Sequence, residues 1–412
     1  MSTSSGQLRE RVRRVPGMER LLPALEGLPP AYLVGGAVRD LIRAQTPTDV
    51  DIAIEGDARS AARAVADRLG GQAREFERFG TADVKMADGD TYNFATTREE
   101  VYDAPGALPR VKPASLAEDL RRRDFTVNTM AVGLTGDDLG HLYDPFDGQA
   151  DLDQRLIRVL HDRSFLDDPT RLLRGVRYAT RLDFALEPET ERLAREAVAG
   201  EALSTVSGAR IGADLMPLLS QEQVGKAVEL LRDLEIHTAL HPELDPDPEL
   251  VASAALGAAA IGADRAVSAL AALVESAPEE LDLWLADLQL LAEERDAAAR
   301  AARVAPRIAT ALRERDRSPS ELRALLGREP LEALALALAL RAPSEPVLRW
   351  ATSLRGVSLE ISGDDLLAAG VPEGPALGRA LEETLRRKLD GIVSGRDEEL
   401  ETALLLAREP AQ

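Results

Sequence analysis

Two carboxylates and a pair of glycines stand about a dozen residues apart near the start of this chain, in Tyr32–Glu55, YLVGGAVRDLIRAQTPTDVDIAIE. Alternation in the run Asp49-Val50-Asp51-Ile52-Ala53-Ile54 points Asp49 and Asp51 to one face of a strand and Val50 and Ile52 to the other. Two carboxylates one strand-step apart are ready ligands for a hard divalent cation such as Mg²⁺. Gly35-Gly36 precedes a helix-like segment, Ala37 to Ala44, so backbone N–H groups there can face phosphate oxygens. Metal ligands beside a phosphate cradle suggest phosphoryl chemistry. Alone, an Asp-x-Asp is most often a solvated edge and a Gly-Gly a plain turn.

A second group lies in Glu118–Asn128, EDLRRRDFTVN. If that stretch is helical, Asp124 and Asn128 share a face with Arg123 beside them. Carboxylate and amide suit ribose hydroxyls, and guanidinium suits phosphate. A third group is Asp168-Pro169, which fits a helix N-cap with proline at the first helical position. It is followed by Arg171, Arg174, Arg177 and Arg181 within an arc of roughly 120°. Guanidiniums on one face with no acid between them repel unless an anion binds, which favours a polyanion partner.

GGAVRD followed by DVD, with Arg39-Asp40 at a fixed offset, resembles the first motif of class II tRNA nucleotidyltransferases (CCA-adding enzymes) and bacterial poly(A) polymerases. RRDFTVN is similar to the second motif, with Thr129 where Ala is usual. Asp144, Gly148 and Arg158 resemble the third, to which hinge and orientation roles are assigned. Asp167-Asp168-x-x-Arg171 resembles the fourth, with Asp167 where Glu is usual. Weaker likenesses are Ser207–Ile211 to the neck segment, with Ala209 for its Glu, and Ile361–Gly378 to the tail hairpin. The resemblance implies Mg²⁺ on Asp49 and Asp51, triphosphate on Gly35, Gly36 and Arg39, and phosphate and ribose on Arg123, Asp124 and Asn128. It puts the Watson–Crick edge of the incoming base on Asp168 and Arg171, and phosphates on Arg174 and Arg177.

The implied reaction is template-independent transfer of AMP from ATP to the 3′ end of tRNA, releasing pyrophosphate. CMP addition from CTP is left open. Arg98-Glu99-Glu100 with Tyr102 looks like the loop start of relatives that complete the A step. Relatives commonly carry an acid where Asn93 stands, so Asn93 either faces the metal or only supports its strand. Two rivals differ from this reading. A poly(A) polymerase usually has a basic C-terminal extension, whereas Arg396–Gln412 holds five acids against two arginines. A non-catalytic RNA-binding scaffold has no use for an intact Asp49 and Asp51.

The elements that must position these groups divide by pattern. Residues 7–27 read as a lead helix, strands as 31–34, 49–54, 81–86, 91–95 and 129–134, and helices as 37–44 and 57–69. That is a small mixed sheet with helices against it, and from Asp151 onward helical spacing of Ala, Leu, Arg and Glu dominates. The fold class is therefore α+β: a nucleotidyltransferase head (1–150), then an all-α neck (151–215), body (216–345) and tail (346–412) that holds tRNA. Breaks are expected near 242–248, 305 and 342–346. The alanine-rich 251–274 suits close helix packing.

With 412 residues, two to four domains are expected, and with only 3% aromatic residues their cores must be Leu, Ala and Val. Cysteine is absent, which excludes disulfides and thiolate metal sites and fits a reducing cytosol. The start lacks the apolar core of a secretory signal, and the longest apolar run, Val251–Ala263, is too short for a bilayer. A cytoplasmic protein without a membrane contact is expected. The net charge of −21 argues against nucleic acid only until its distribution is considered. Residues 241–300 carry thirteen acids against three arginines, but 155–181 carry seven arginines against three acids.

Overall fold

The structure is a computed structural model that describes residues 4–47, 50–76 and 80–408. The first carboxylate of the Asp-x-Asp pair, Asp49, lies outside the described residues. Two compact units are present, one of Met1–Asp214 with Leu230–Leu240, the other of Leu215–Glu229 with His241–Gln412. Among the described residues, no helix is long and apolar enough to cross a membrane.

The first unit is built on a sheet of seven strands among the described residues. They are β1 (Ala31–Val34), β2 (Val50–Ile54), β3 (Gln72–Phe76), β4 (Thr81–Lys85), β5 (Thr91–Thr96), β8 (Ala131–Gly133) and β9 (Leu142–Tyr143). Two further strands, β6 (Arg98–Val101) and β7 (Arg110–Pro113), form a separate antiparallel hairpin. The sheet order is β3-β4-β5-β2-β1-β8-β9, with β2 and β5 parallel and the other neighbours antiparallel. It is a mixed sheet, as the strand pattern predicts.

Both faces of β2 are used. Ile52 and Ile54 are buried on one side, and the helix Ala58–Leu69 supplies the buried Ala61, Ala62, Val65 and Ala66 at helical spacing. On the other side Ala53 joins Tyr32, Val34, Leu116, Leu120 and Ala131 in one apolar cluster. Asp51 precedes that cover and stays exposed.

Several sequence expectations need correction. The lead helix is two helices, Ser5–Arg14 and Met18–Ala24, because Gly17 between them takes a left-handed φ of 79°. Strands β3, β6, β7 and β9 escape the pattern, and so does a short parallel pair, Leu156–Ile157 with Ala185–Leu186, inside 151–215, which is therefore not all-α; β3 is exposed along most of its length and so shows no buried alternation. Near 305 no break occurs: Ala292–Glu314 runs through Pro306, held by the buried Val304, Ala305, Ile308 and Ala309 on both sides of it.

The second unit is helical. Its core is alanine-rich: Ala254, Ala255 and Ala258 of Pro248–Ile261 and Ala333–Ala337 of Leu331–Ala339 are fully buried. A Cβ on Gly257 would lie 3.1 Å from the Ala335 carbonyl oxygen, so small residues set the spacing of these two helices. The close packing expected of 251–274 is observed. At the C-terminal end, Gly363–Ala368, Pro375–Leu389 and Arg396–Arg408 surround Ile361, Leu366, Val371, Ala380 and Ala403. Gly370 (φ 87°) and Gly374-Pro375 make the stop and restart between the first two.

Candidate active site

Six stretches of the first unit converge on one cavity of about 430 Å³. Gly35 and Gly36 come from the turn after β1, and Asp51 from β2. Arg122, Arg123, Asp124 and Asn128 come from the segment after the helix Leu116–Arg121. Asp168, Arg171 and Arg174 come from the start of the helix Arg171–Leu182 and the turn before it. Arg98, Glu100, Tyr102 and Pro109 come from the β6–β7 hairpin, and Arg210 from the helix Gly208–Leu219. The lining carries six arginines against four carboxylates, so this cavity is cationic within an acidic chain.

Gly35 has φ 68°, and a Cβ there would lie 2.9 Å from Nη1 of Arg123, so only glycine lets the guanidinium approach. Its N–H donates to the Met130 carbonyl (3.2 Å) and is thereby taken up within the protein. Asp51 pairs in register with Asn93 of β5, and the Asn93 amide donates to Asp51 Oδ1 (3.2 Å). A carboxylate has no proton to give, so the contact runs in that direction. Asn93 therefore faces the same side as Asp51. Asp83 of β4 is the next residue in that cross-strand row.

The Asp124 segment is not the helix on which the sequence reading was conditional. The helix stops at Arg121 and a short 3₁₀ turn spans Thr126–Asn128. Asp124 and Asn128 meet nonetheless: Asn128 Nδ2 donates to Asp124 Oδ1 (3.2 Å), and the Phe125 N–H donates to the same oxygen (2.8 Å). Arg174 donates Nε to Asp124 Oδ2 (3.0 Å) and adds a second bond through Nη2. Burial alone would push this carboxyl up, but Arg174, the Asn128 amide and Arg171 hold it below its ordinary range. Asp124 in turn pushes Arg174 up. Both oxygens of Asp124 are filled by protein donors, so a ribose hydroxyl there would have to displace one of them.

Arg39 departs from the expected phosphate role. It is 1% exposed, donates Nη1 to Asn128 Oδ1 (2.8 Å) and Nε to Asp40 Oδ1 (2.9 Å), and does not line the cavity. It braces Asn128 from behind. Arg177 is also outside the lining and stands 4.0 Å from Asp214. The repulsion expected along the arginine face is thus relieved by acids from other elements, Asp124 for Arg174 and Asp214 for Arg177. Burial pushes the Asp214 carboxyl up.

Asp168 sits just before its helix, where it caps a turn: Thr170 donates its N–H (3.2 Å) and its hydroxyl (2.8 Å) to Oδ1. The helix itself begins at Arg171 with Thr170 as N-cap. Arg171 is 4% exposed and donates to Ser164 Oγ (2.6 Å) and to the Arg122 carbonyl (2.8 Å). Those bonds aim a guanidinium with donors to spare at a cavity that Asp168 also lines.

Sequence reasoning missed three groups. Asp119, 1% exposed, accepts from Arg122 (2.8 Å) and Arg123 (2.9 Å) and orients both. Its spacing of three and four residues from them was the available signal. Glu100, read only as part of a loop start, stands beside Tyr102 (3.0 Å) and accepts from Arg98 (3.1 Å) and Arg122 (2.7 Å) inside the cavity. Burial pushes the Tyr102 hydroxyl up. Arg210 was read only as part of a neck segment, yet it reaches Asp168.

Residues 31–158 match the Poly A polymerase head domain, and 183–247 match the Probable RNA and SrmB- binding site of polymerase A. A CC-adding tRNA nucleotidyltransferase of Deinococcus radiodurans is 34% identical over 371 residues, covering 89% of this chain and 87% of that protein. The chain belongs to the class II tRNA nucleotidyltransferase family. An A-adding tRNA nucleotidyltransferase of Geobacter sulfurreducens is 34% identical over 92% of this chain. The chain spans 45% of that protein, and 25% and 49% of two further A-adding relatives, from Aquifex aeolicus and Halalkalibacterium halodurans. The solved apo form II of a CCA-adding enzyme superposes with a TM-score of 0.79 at 31% identity, covering 97% of this chain and 98% of that one. Members of this family generally use a divalent metal. Among the described residues no group of three acidic, histidine or cysteine side chains stands together as a metal site; Asp51 offers one carboxylate on the cavity wall, a donor suited to such an ion, and Asn93 steadies one of its oxygens.

Proposed function

We propose that the chain is a template-independent tRNA nucleotidyltransferase that adds AMP from ATP to the 3′ end of tRNA. What supports the reading is the convergence of Gly36, Asp51, Arg123, Asp168 and Arg171 on one cationic cavity. In the reaction the 3′-hydroxyl oxygen bonds to the α-phosphorus of ATP. The bond from that phosphorus to the bridging oxygen of the β-phosphate breaks, the hydroxyl proton passes to solvent water, and pyrophosphate leaves with the bridging oxygen.

Each residue has a part that follows from its chemistry. Arg123, held by Asp119, and the Gly36 N–H bind triphosphate oxygens. Asp124, Asn128 and Arg174 form the braced floor beneath the ribose. Asp168 accepts from the exocyclic amine of adenine or cytosine, and Arg171 donates to ring acceptors. Guanine and uracil present a carbonyl where that amine belongs, which leaves Asp168 facing an acceptor. Asp51, together with Asp49, would hold Mg²⁺, which when bound lowers the pKa of the attacking hydroxyl and neutralises the leaving pyrophosphate. A cytoplasmic enzyme is consistent with a tRNA substrate. Residues 346–412 are the proposed tRNA-holding tail, after a head of 1–150, a neck of 151–215 and a body of 216–345.

The hairpin start Arg98-Glu99-Glu100 with Tyr102 favours the A step. The test is incubation of tRNA ending in CC with ATP alone, with the product sequenced. One added AMP is expected; no extension overturns the reading, and a long adenylate tail replaces it with poly(A) polymerase. A parallel reaction on tRNA lacking its last three residues, with CTP and ATP, decides whether CMP is added too.

A further inference from the structure

Asp124 has no acceptor capacity left for a sugar hydroxyl. Its Oδ1 takes the Asn128 amide and the Phe125 N–H, and its Oδ2 takes Nε and Nη2 of Arg174. Those donors fill the roughly four lone-pair sites that a carboxylate offers. On the helix Arg171–Leu182, Arg174 follows Arg171 by one turn, and Tyr178 follows Arg174 by another. At about 100° per residue the three fall within an arc of about 60°, and the two steps rise about 4.5 Å and about 6 Å along the axis. All three line the cavity, whereas Arg177, about 120° from Arg171 on the same helix, does not.

Tyr178 is gripped by its ring. The guanidinium carbons of Arg177 and Arg39 stand 5.1 Å and 5.8 Å from the ring centroid, within reach of the attraction between a cation and an aromatic face. Phe125 meets the same ring in a T-shaped contact, with centroids 5.9 Å apart and an interplanar angle of 78°. A Cβ on Gly175 would lie 3.2 Å from Cζ of Phe125, so glycine there lets Phe125 close against the helix. These contacts hold the ring and leave the hydroxyl out. Tyr178 is half-buried, and among the described residues its hydroxyl makes no hydrogen bond.

We propose that Tyr178 is a specificity-determining residue whose hydroxyl bonds to the 2′-hydroxyl of the incoming nucleotide, selecting ribonucleoside over deoxyribonucleoside triphosphates. The base edge lies at the start of the helix, with Asp168 and Arg171, and the sugar lies further along the same face. Asp124 keeps Arg174 and Asn128 in place beneath that sugar without bonding to it. A phenol hydroxyl donates one hydrogen bond and accepts another, and so does a 2′-hydroxyl, so the two match in either direction. Because three contacts already fix the ring, forming the bond orders little that was free. A deoxyribose leaves the phenol hydroxyl facing a C–H group, and the bond is lost. The proposal deepens the functional reading and rests on it, since the cavity has to be the nucleotide site.

The test is a cycle between the tyrosine hydroxyl and the sugar hydroxyl. Single additions to CC-ending tRNA are measured with ATP, 2′-deoxy-ATP and 3′-deoxy-ATP, for the intact chain and for Tyr178→Phe. The ratio of kcat/KM for ATP to that for 2′-deoxy-ATP should fall about five- to tenfold in Tyr178→Phe, the scale of one hydrogen bond between neutral groups. The ratio for ATP to 3′-deoxy-ATP should hold. Removing both hydroxyls should cost no more than removing either, since together they make one bond. The second readout is calorimetric binding of ATP and of 2′-deoxy-ATP without tRNA, which runs the same cycle with no catalysis. An intact chain indifferent to the 2′-hydroxyl overturns the proposal, as does an unchanged ATP to 2′-deoxy-ATP ratio in Tyr178→Phe. Equal losses on all three nucleotides with a lowered melting temperature also overturn it, by assigning Tyr178 to the fold alone. If the intact chain binds ATP but adds nothing to tRNA, the functional reading has failed and the binding ratio alone decides the proposal. If it binds neither nucleotide, both fail.

Discussion

Asp51 and Asn93 stand side by side on β2 and β5, one charged and one neutral, with the amide donating to the carboxylate. Because Asp51 is exposed and outside the apolar clusters, Asp51→Ala should leave the melting temperature and tRNA affinity unchanged while AMP transfer falls by several decades. Activity within about tenfold of the unaltered chain, the scale of a positioning loss rather than a lost metal ligand, sinks the assignment. Asn93→Asp replaces the amide with a second charge beside Asp51, and the two repel until a cation sits between them. Half-maximal transfer should then need less Mg²⁺. An identical Mg²⁺ titration would limit Asn93 to steadying Asp51.

The helix Leu116–Arg121 owes its hold on the site to one buried acid. Burial disfavours the Asp119 charge, yet Arg123 and Arg122 outweigh it and keep the carboxyl below its ordinary range. A carboxyl depressed in the folded state contributes stability that is complete above its unfolded pKa of about 4 and is lost as the pH falls through the folded value. Asp119→Asn should therefore cost about 3–5 kcal/mol at pH 7, the scale of breaking a buried pair. The gap between the two melting curves should close as the pH drops below about 4. A gap that stays constant from pH 7 to pH 3 rules out the charge as its source. The helix Gly148–Gln154 meets the same region differently. A Cβ on Gly148 would run into the Thr126 carbonyl oxygen and lie 3.1 Å from the carbon of that group. Thr126 opens the turn that carries Asn128, so Gly148→Ala should cost about 1–3 kcal/mol by overpacking. It should also weaken ATP binding in a calorimetric titration; a full-affinity variant with lowered stability would separate the turn from the nucleotide.

On the scale of the molecule, charge and chemistry are segregated. The chain carries −21 overall, yet the cavity lining holds more arginines than acids. That cavity and the sheet that builds it belong wholly to the first unit, whose last residues are Leu230–Leu240. A chain of residues 1–240 is expected to fold with its strand content intact by circular dichroism and to bind ATP as the full chain does. It should lose tRNA affinity, because the proposed tail is gone. Full tRNA affinity in the shortened chain would move the RNA-holding surface into the head and neck.

Much of the site was legible because its chemistry is local. Alternation marks Asp51 as facing away from Ile52, a glycine pair marks a tight entry to a helix, and three- and four-residue spacing marks one side of Arg171–Leu182. The strands β1, β2, β4 and β5 carry buried alternation or apolar runs and were readable for that reason, whereas the exposed β3 was not. Motif resemblance supplied roles for residues too far apart for any periodicity to join. What only the tertiary structure decided is which charge meets which. Arg39 lies among the same motifs as Arg123, yet it is buried against Asn128, 89 residues away, while Arg123 lines the cavity. Arg174 is matched by Asp124, 50 residues off, and Asp168 by Arg210, 42 residues off. A repeat of 3.6 or 2 residues tells which face a side chain occupies, but the partner on that face arrives from another element. The energy of a buried charge depends on that partner far more than on its neighbours in the chain.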